Sequence, residues 1–407
     1  MNSERWKTGT IGDLLSLEYG AGLKERDRSG LGYPVYGSNG VVGFHKKYLV
    51  NGPGIIVGRK GSVGAVHWSD DSFWPIDTAY YVEIKKEDIN LRWCYWALQF
   101  IELSRLDSST GVPGLNRNDV YKLRINLPNE QEQLQIAHIL DTVDEAIQRT
   151  EQLIAKLKAI KQGLLHDLLT RGLDENGQLR DPIAHPEQFK DSPLGRIPKE
   201  WRLTSLGKIA RIRRGASPRP IDSPEWFANK GVGWVRISDV TKAIDRLTET
   251  EQYLSPSGEK KSVRVCPGQI IMSICATIGE PIILGMDACI HDGFVVFDQH
   301  EHSADPGFLV RFLRYKQDYF KSQGQTGTQA NLNTNIVKDC LIALPSIEEQ
   351  RTISEIMDCY DNSLKSESEY FTKLKLLKKG LMHDLLTGKV RVNIKTENLN
   401  QVKEGEL

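Results

Sequence analysis

Residues 127–170 and 344–387 are two copies of one segment. They align without a gap at a constant offset of 217, and 19 of the 44 paired positions are identical. Each copy opens Leu-Pro, continues to Glu-Gln (Glu132/Gln133 and Glu349/Gln350), and closes Gly-Leu-x-His-Asp-Leu-Leu-Thr. A duplication this long fixes the plan of the chain before any shorter motif is weighed. Two copies are too few for a solenoid, so they point to two halves related by a pseudo-twofold axis.

The repeated segment has the pattern of a long helix. Apolar residues fall at Ile136, Ile139/Leu140, Val143, Ile147, Ile154, Leu157, Leu164 and Leu168, and again at Ile353, Ile356/Met357, Tyr360, Leu364, Phe371, Leu374, Leu381 and Leu385. Spacings of three and four place them in one stripe. Each segment comes after a proline, which a helix tolerates only at its start. Some 38 helical residues would make a rod of about 57 Å. A rod that is polar on most of its circumference needs a partner, and its own repeat is the expected one, as a coiled-coil pair.

The segments before the helices repeat more weakly. Trp6, Gly12 and Gly20 match Trp201, Gly207 and Gly215 at an offset of 195. Each half has Pro-Gly before an apolar run (Pro53–Val57 and Pro267–Ile271), a second β-rich run (Ala79–Ile84 and Gly293–Phe297), and an aromatic helix candidate near 90–105 or 306–321. The expected fold class is α+β: two mixed α/β domains joined by two long helices. The boundaries read 1–128 for the first domain, 129–170 for the first helix, 171–200 for a connector, 201–345 for the second domain, 346–387 for the second helix and 388–407 for a polar tail. Asp174–Pro198 holds four prolines with little periodicity and reads as an irregular connector.

Composition excludes more than it identifies. Lys+Arg and Asp+Glu both number 53, so global charge favours no partner. The six cysteines lack any C-x-x-C pair, which reads as free thiols in a reducing compartment. No apolar run is long enough for a membrane span and the first residues are polar, so the expected location is the cytoplasm. No Pro-Pro occurs, which removes the Asn/Asp-Pro-Pro-aromatic loop of an adenine methyltransferase, and no G-x-x-x-x-G-K-[ST] phosphate loop is present. His300-x-His302 lacks further ligands for a metal site. His291-Asp292 lacks an adjacent nucleophile for acid–base work and reads as structural.

Two divergent domains, each with a nearly identical helix after it beginning Leu-Pro-x-x-x-Glu-Gln, resemble the specificity subunit of a type I restriction-modification enzyme. The connector ending Phe189–Trp201 and the runs Leu115-Asn116 to Leu127-Pro128 and Leu332-Asn333 to Leu344-Pro345 carry the same resemblance. It covers essentially the whole chain. It implies two target recognition domains that read the two halves of a split site on double-stranded DNA. It implies a helix pair that spaces them and docks two methyltransferase subunits, joined by a restriction/translocase subunit. S-adenosylmethionine, ATP and Mg then belong to those partners, and this chain has no cofactor and no catalysis of its own. Only an antiparallel helix pair would space two such readers along one duplex. The competing reading is a coiled-coil scaffold with two protein-binding domains.

Candidate DNA contacts lie in polar loops. In the first domain they are Lys24 and Arg26 (with Arg28) after Gly20-Ala21-Gly22, Asn39 in a polar turn, and Arg59, Lys60 and Ser62 between strand candidates. In the second they are Arg213, Arg214 and Arg219 around Gly215, Arg236 and Ser238, and Thr328, Gln329 and Asn331 before Leu332. Arginine suits guanine edges, Asn and Gln suit adenine, and Lys or Ser suits phosphate. His166 and His383 suit the negative ends of their helices. The starts Glu132/Gln133 and Glu349/Gln350 offer either a cap or a docking face. Matching charges at Lys156/Lys373, Lys158/Lys375 and Lys161/Lys378 favour docking combined with packing.

Overall fold

The computed structural model describes residues 6–106, 114–243, 246–298, 304–324 and 332–392. The chain divides into two compact units: Met1–Leu153 with Glu367–Leu407, and Ile154–Ser366. Both repeated segments are single helices, Glu130–Thr170 and Ile347–Leu386. Each helix therefore contributes one half to each unit.

In the first unit, Lys7–Thr10 pairs antiparallel with Arg124–Leu127 and brings the two ends of the domain together at the helix start. A four-stranded sheet has the order Leu15–Tyr19, Ala79–Ile84, Gly54–Gly58, Val66–Ser69. Gly54–Gly58 is buried along its whole length, as its central place and unbroken apolar run require. A second sheet orders Gly40–His45, Tyr33–Gly37 and Trp74–Pro75. The helix Leu91–Ile101 buries Trp93 and Trp96 in a core that also takes Ile136 and Leu140 of the first long helix and Leu385 of the second.

The second unit repeats the plan with larger sheets. Arg202–Ser205 pairs with Leu341–Leu344, the sequence equivalents of the first unit's pair. One five-stranded sheet runs Arg211–Arg214, Phe294–Asp298, Ile270–Ser273, Pro281–Leu284, Arg246–Leu247. Another runs Phe227–Ala228, Gln252–Leu254, Val232–Val235, Ala288–Ile290, Val263–Val265. The helix Pro306–Tyr315 packs Phe308, Leu309 and Phe312 into a core with Leu168 of the first long helix and Ile353 and Met357 of the second. The connector departs from its expected irregularity. Phe189–Ser192 and Gly195–Pro198 form a hairpin, with Gly195 at φ +91° closing the turn. Pro193 supplies the turn, so prolines taken as a sign of irregular chain mark a two-stranded ribbon.

The matched glycines are close-approach positions. A Cβ on Gly12 would lie 2.9 Å from Tyr121 Cβ, and one on Gly207 would lie 3.0 Å from Lys338 Cβ. On Gly20 it would meet the Ile76 carbonyl oxygen at 2.2 Å, and on Gly215 that of His291 at 2.1 Å.

The two helices run antiparallel within each unit. In the first, Lys378 Nζ donates to Asp144 Oδ1 at 2.5 Å, while Ile136 and Leu140 share a core with Leu381 and Leu385. In the second, Lys161 pairs with Asp361, while Leu168 meets Ile353 and Met357. Asp144 and Asp361 are sequence equivalents, as are Lys161 and Lys378. The identity of those lysines thus has an internal cause, whereas Lys156/Lys373 and Lys158/Lys375 stay exposed.

The Glu-Gln pairs, which the sequence offers as either a cap or a docking face, are engaged within the fold. Asn129 Oδ1 and Ser346 Oγ accept from the backbone N–H of Glu132 and Glu349, at 2.9 and 3.2 Å, and cap the helices. The Glu349 carboxylate accepts from Trp201 Nε1 at 3.2 Å, Arg180 Nη1 at 2.6 Å and the Leu173 backbone N–H at 2.7 Å. Glu132 accepts from Trp6 Nε1 at 2.9 Å and Arg391 Nε at 2.7 Å. Gln133 Oε1 accepts from the Asn90 N–H and Gln350 Oε1 from the Asp305 N–H, both at 2.8 Å, which ties each long helix to the start of its aromatic helix.

Replacing Glu349 with Ala leaves Arg180, whose side chain is only 10% exposed, with no carboxylate nearer than the exposed Glu200, 3.8 Å away. Breaking a buried pair from one side costs about 3–5 kcal/mol. Urea denaturation should show that loss, with hydrogen exchange accelerating first across residues 171–201. Unchanged stability would mean the clamp does not hold the second unit together.

Candidate nucleic-acid interface

In the first unit the sequence-derived candidates cluster on three connections. Lys24 and Arg26 flank or occupy the short 3-10 turn Glu25–Asp27 and are exposed. Arg28, next along, holds that turn in place: its Nη1 donates to the Val42 carbonyl oxygen at 2.7 Å. Asn39 is exposed in the two-residue turn between Tyr33–Gly37 and Gly40–His45, where Gly40 at φ +101° lets the chain reverse. Arg59, Lys60 and Ser62 lie in the turn after Gly54–Gly58. That turn runs beside the first: a Cβ on Gly58 would sit 2.1 Å from the Ser62 carbonyl oxygen and 2.9 Å from that of Ser38. Asn39 and the Arg59–Ser62 turn therefore share one edge of the domain.

Two residues at this edge escape sequence reading. Tyr19 closes its strand, and the Arg59 guanidinium carbon lies 5.1 Å from the centre of its ring. Arg117 approaches the same ring to 4.9 Å. The available signal was alternation. Leu15 and Leu17 are buried on one face of the strand, and Tyr19 comes next on that face where the core ends.

The second unit organises its candidates around Asp292. Arg214 Nε donates to the Asp292 carbonyl oxygen at 2.7 Å, Arg219 Nη2 to Oδ2 at 3.0 Å, and Ser217 Oγ to Oδ1 at 2.5 Å. Partial burial pushes the Asp292 carboxyl up, but the Ser217 hydrogen bond and the Arg219 charge outweigh it and hold the group below the usual carboxylate range. Arg213 is placed differently. It is paired within its sheet to Asp298 Oδ2 at 2.9 Å, and Gln269 Nε2 donates to the other carboxylate oxygen at 2.8 Å. Arg236 and Ser238, expected in a loop, open the short helix Ile237–Lys242, because Asp239 accepts from the Arg236 backbone N–H at 2.8 Å and caps it. Thr328, Gln329 and Asn331 lie outside the described residues, as do His300 and His302.

His291 beside this hub is a packing group. Its ring meets Trp234 at 5.8 Å and Phe294 at 4.8 Å between centres, and Nδ1 accepts from the Gly293 N–H at 2.9 Å. Burial holds the imidazole down at about 4, with the Arg236 charge adding to the effect and Asp292 opposing it. Among the described residues no group of three or more His, Cys, Asp or Glu side chains could hold a metal ion. Nor is any helix among them long and apolar enough to cross a membrane.

The geometry is thus two unlike, Arg-bearing edges, each on a domain anchored to the start of a long helix. Comparison with known proteins matches both halves. The family described as "Type I restriction modification DNA specificity domain" matches residues 3–159 and 198–376. The chain is 27% identical over 366 residues to the type I restriction enzyme MjaVIII specificity subunit of Methanocaldococcus jannaschii, covering 85% of this chain and 77% of that protein. It is 23% identical over 368 residues to the EcoBI specificity subunit of Escherichia coli, covering 86% and 76%. Its fold is similar to the crystal structure of a type I restriction-modification S subunit from M. genitalium, with a TM-score of 0.63, 17% identity, and coverage of 95% and 97%.

The buried imidazole predicts an acid-side loss of stability. His291 is held near 4 in the fold, against an ordinary 6.5, so the unfolded chain takes up its proton first. Its contribution to stability is intact above about 6.5, falls as pH drops toward about 4, and changes no further below that. The full span is about 3 kcal/mol. Urea midpoints measured across this window should slope less for His291→Gln than for the parent chain; equal slopes would contradict the assignment.

Proposed function

The chain belongs to the type I restriction modification DNA specificity family, and we propose that it supplies sequence recognition to a methyltransferase and restriction complex without catalysing either reaction. The observation that carries this reading is the coincidence of the two family-matched segments with two domains, each bearing exposed arginines. Each domain reads one half of a bipartite site on double-stranded DNA. The arginine sets differ in position and in the groups that hold them, so the two half-sites differ in sequence. The long helices set the unread spacer and carry two methyltransferase subunits, with a restriction/translocase subunit completing the assembly. S-adenosylmethionine, ATP and Mg serve those partners.

Recognition depends on where the guanidinium groups can reach. Arg214 and Arg219 each use one nitrogen on Asp292, which leaves further N–H donors on each for a base edge or a phosphate. In the first domain Arg59, Lys60 and Asn39 offer donors of three geometries from one edge. Phosphate contacts would set register, and base-edge contacts would set the recognised word.

Co-expression with the cognate methyltransferase, with methylation mapping of the host DNA, tests the reading. The purified chain alone should methylate nothing, and the complex should methylate one split site. Exchanging residues 1–128 for the matching domain of a relative should change one half-site only. Arg214→Ala should weaken or relax the other half alone, by about 1–3 kcal/mol if this Arg holds a guanine. Equal changes in both halves would refute independent readers.

Spacer length gives a separate test. Four residues inserted after Leu153, and four more after Ser366, lengthen each helix by about 6 Å and rotate its C-terminal half by about 400°, close to one full turn. Each unit keeps its own Lys–Asp bridge because neither insertion falls inside a bridged segment. Both half-sites should persist while the spacer grows by one or two base pairs. An unchanged spacer would show that the helices are not the ruler.

A further inference from the structure

We infer that Tyr19, Arg59 and Arg117 form a single oxyanion site that takes one backbone phosphate of bound DNA, an inference that rests on the DNA-reading role proposed above. Two guanidinium groups stand at one ring, with their carbons 5.1 and 4.9 Å from its centre. Their backbones are fixed together. Arg59 N–H donates to the Thr78 carbonyl oxygen at 2.9 Å, and the Arg59 carbonyl oxygen accepts from Leu115 N–H at 2.8 Å, two residues before Arg117. Arg117 in turn begins the short helix Arg117–Tyr121, capped by Asn116, and its Nη1 donates to the Leu17 carbonyl oxygen at 3.1 Å.

The charge at this point is poorly compensated from within. Glu18 lies 3.8 Å from Arg117. Among the described residues no carboxylate lies within ion-pair distance of Arg59, and its buried Nε has no hydrogen-bond partner. Like charges brought to one ring repel each other, and the aromatic face offsets only part of that cost. An anion between them would turn repulsion into attraction and add charge-assisted hydrogen bonds. Tyr19 is 51% exposed, so the cluster opens to solvent at the edge that also bears Lys60 and Asn39. A phosphodiester suits two forks better than a base edge does, since one arginine already saturates the acceptors of a guanine. Tyr19 is the positioning residue and the two arginines are the binding groups.

The test uses the complex of the full chain with its methyltransferase, binding cognate and non-cognate duplexes across a salt series. The double variant Arg59→Gln/Arg117→Gln should weaken binding by the same factor for every duplex and lower the slope of log K against log salt by about one. Arg59→Lys/Arg117→Lys should restore the slope, and Tyr19→Ala should lower affinity with no change in the preferred sequence. Complex assembly and melting temperature are measured for each variant, so that a folding failure is seen as such and the Lys pair then decides. A fall of about two would place the arginines on separate phosphates, an altered base preference at constant slope would make one of them a base reader, and no change would leave the site unused; each overturns the shared phosphate. If inorganic phosphate at matched ionic strength stabilises the DNA-free complex while the double variant keeps the parent slope, the site serves a free oxyanion and the inference also fails. Should the parent complex itself not discriminate cognate from non-cognate DNA, the DNA-reading role fails first.

Discussion

A carboxylate buried at the start of a helix must be answered by donors, and the rest of this fold is arranged around two of them. Glu132 is 2% exposed, and the Glu349 side chain is 12% exposed. Each lies where the helix dipole favours negative charge, but the dipole alone cannot offset full desolvation. The remaining donors come from far along the chain. An indole arrives from just before the strand that opens the domain, Trp6 for Glu132 and Trp201 for Glu349. A guanidinium arrives from the segment beyond the opposite helix: Arg180 for Glu349 and Arg391 for Glu132. One ion thus fixes the opening strand, the helix start and the returning chain in each unit. The neighbouring Gln adds the aromatic helix to the same joint.

With the joints fixed, the two domains are free to differ at their outer edges, and they do so in kind as well as in sequence. The first domain holds its arginines against an aromatic ring, and the second holds them on the carboxylate and carbonyl of Asp292. A ring takes no N–H of the guanidinium it holds, whereas a carboxylate takes some and aims the rest. The sheets differ in size, but the matched glycines within them do not differ in kind. Gly20 and Gly215 sit against the same carbonyl wall in both units, because neither position has room for a Cβ.

The helices, their length and their antiparallel contacts were legible because a period near 3.6 and a duplication are properties of sequence alone. So were the strand runs Gly54–Gly58 and Phe294–Asp298, buried throughout except at the terminal Asp298. The connector hairpin was not legible, since its prolines and glycine are equally good signs of a turn and of irregular chain. The candidate edges were legible only as groups. Lys60, Arg214 and Arg219 emerged near where polar turns placed them, but Arg213 is drawn into an ion pair with Asp298, a residue 85 positions away that no local pattern could indicate. Tyr19 and the hub role of Asp292 were hidden for the same reason, because the groups each one holds are brought to it by sheet register.

The two units are built from the chain in different ways. Ile154–Ser366 is one continuous stretch, whereas the other unit joins Met1–Leu153 to Glu367–Leu407. A ribosome emits the whole continuous unit before it emits Leu381, Leu385 and Arg391, which complete the core and the Glu132 joint of the other. The usual order of synthesis, in which the N-terminal domain finishes first, is therefore reversed. The domain made first waits with Ile136 and Leu140 uncovered on one side until the last helix arrives. During that interval the nascent chain displays an apolar stripe that only its own unfinished end can cover.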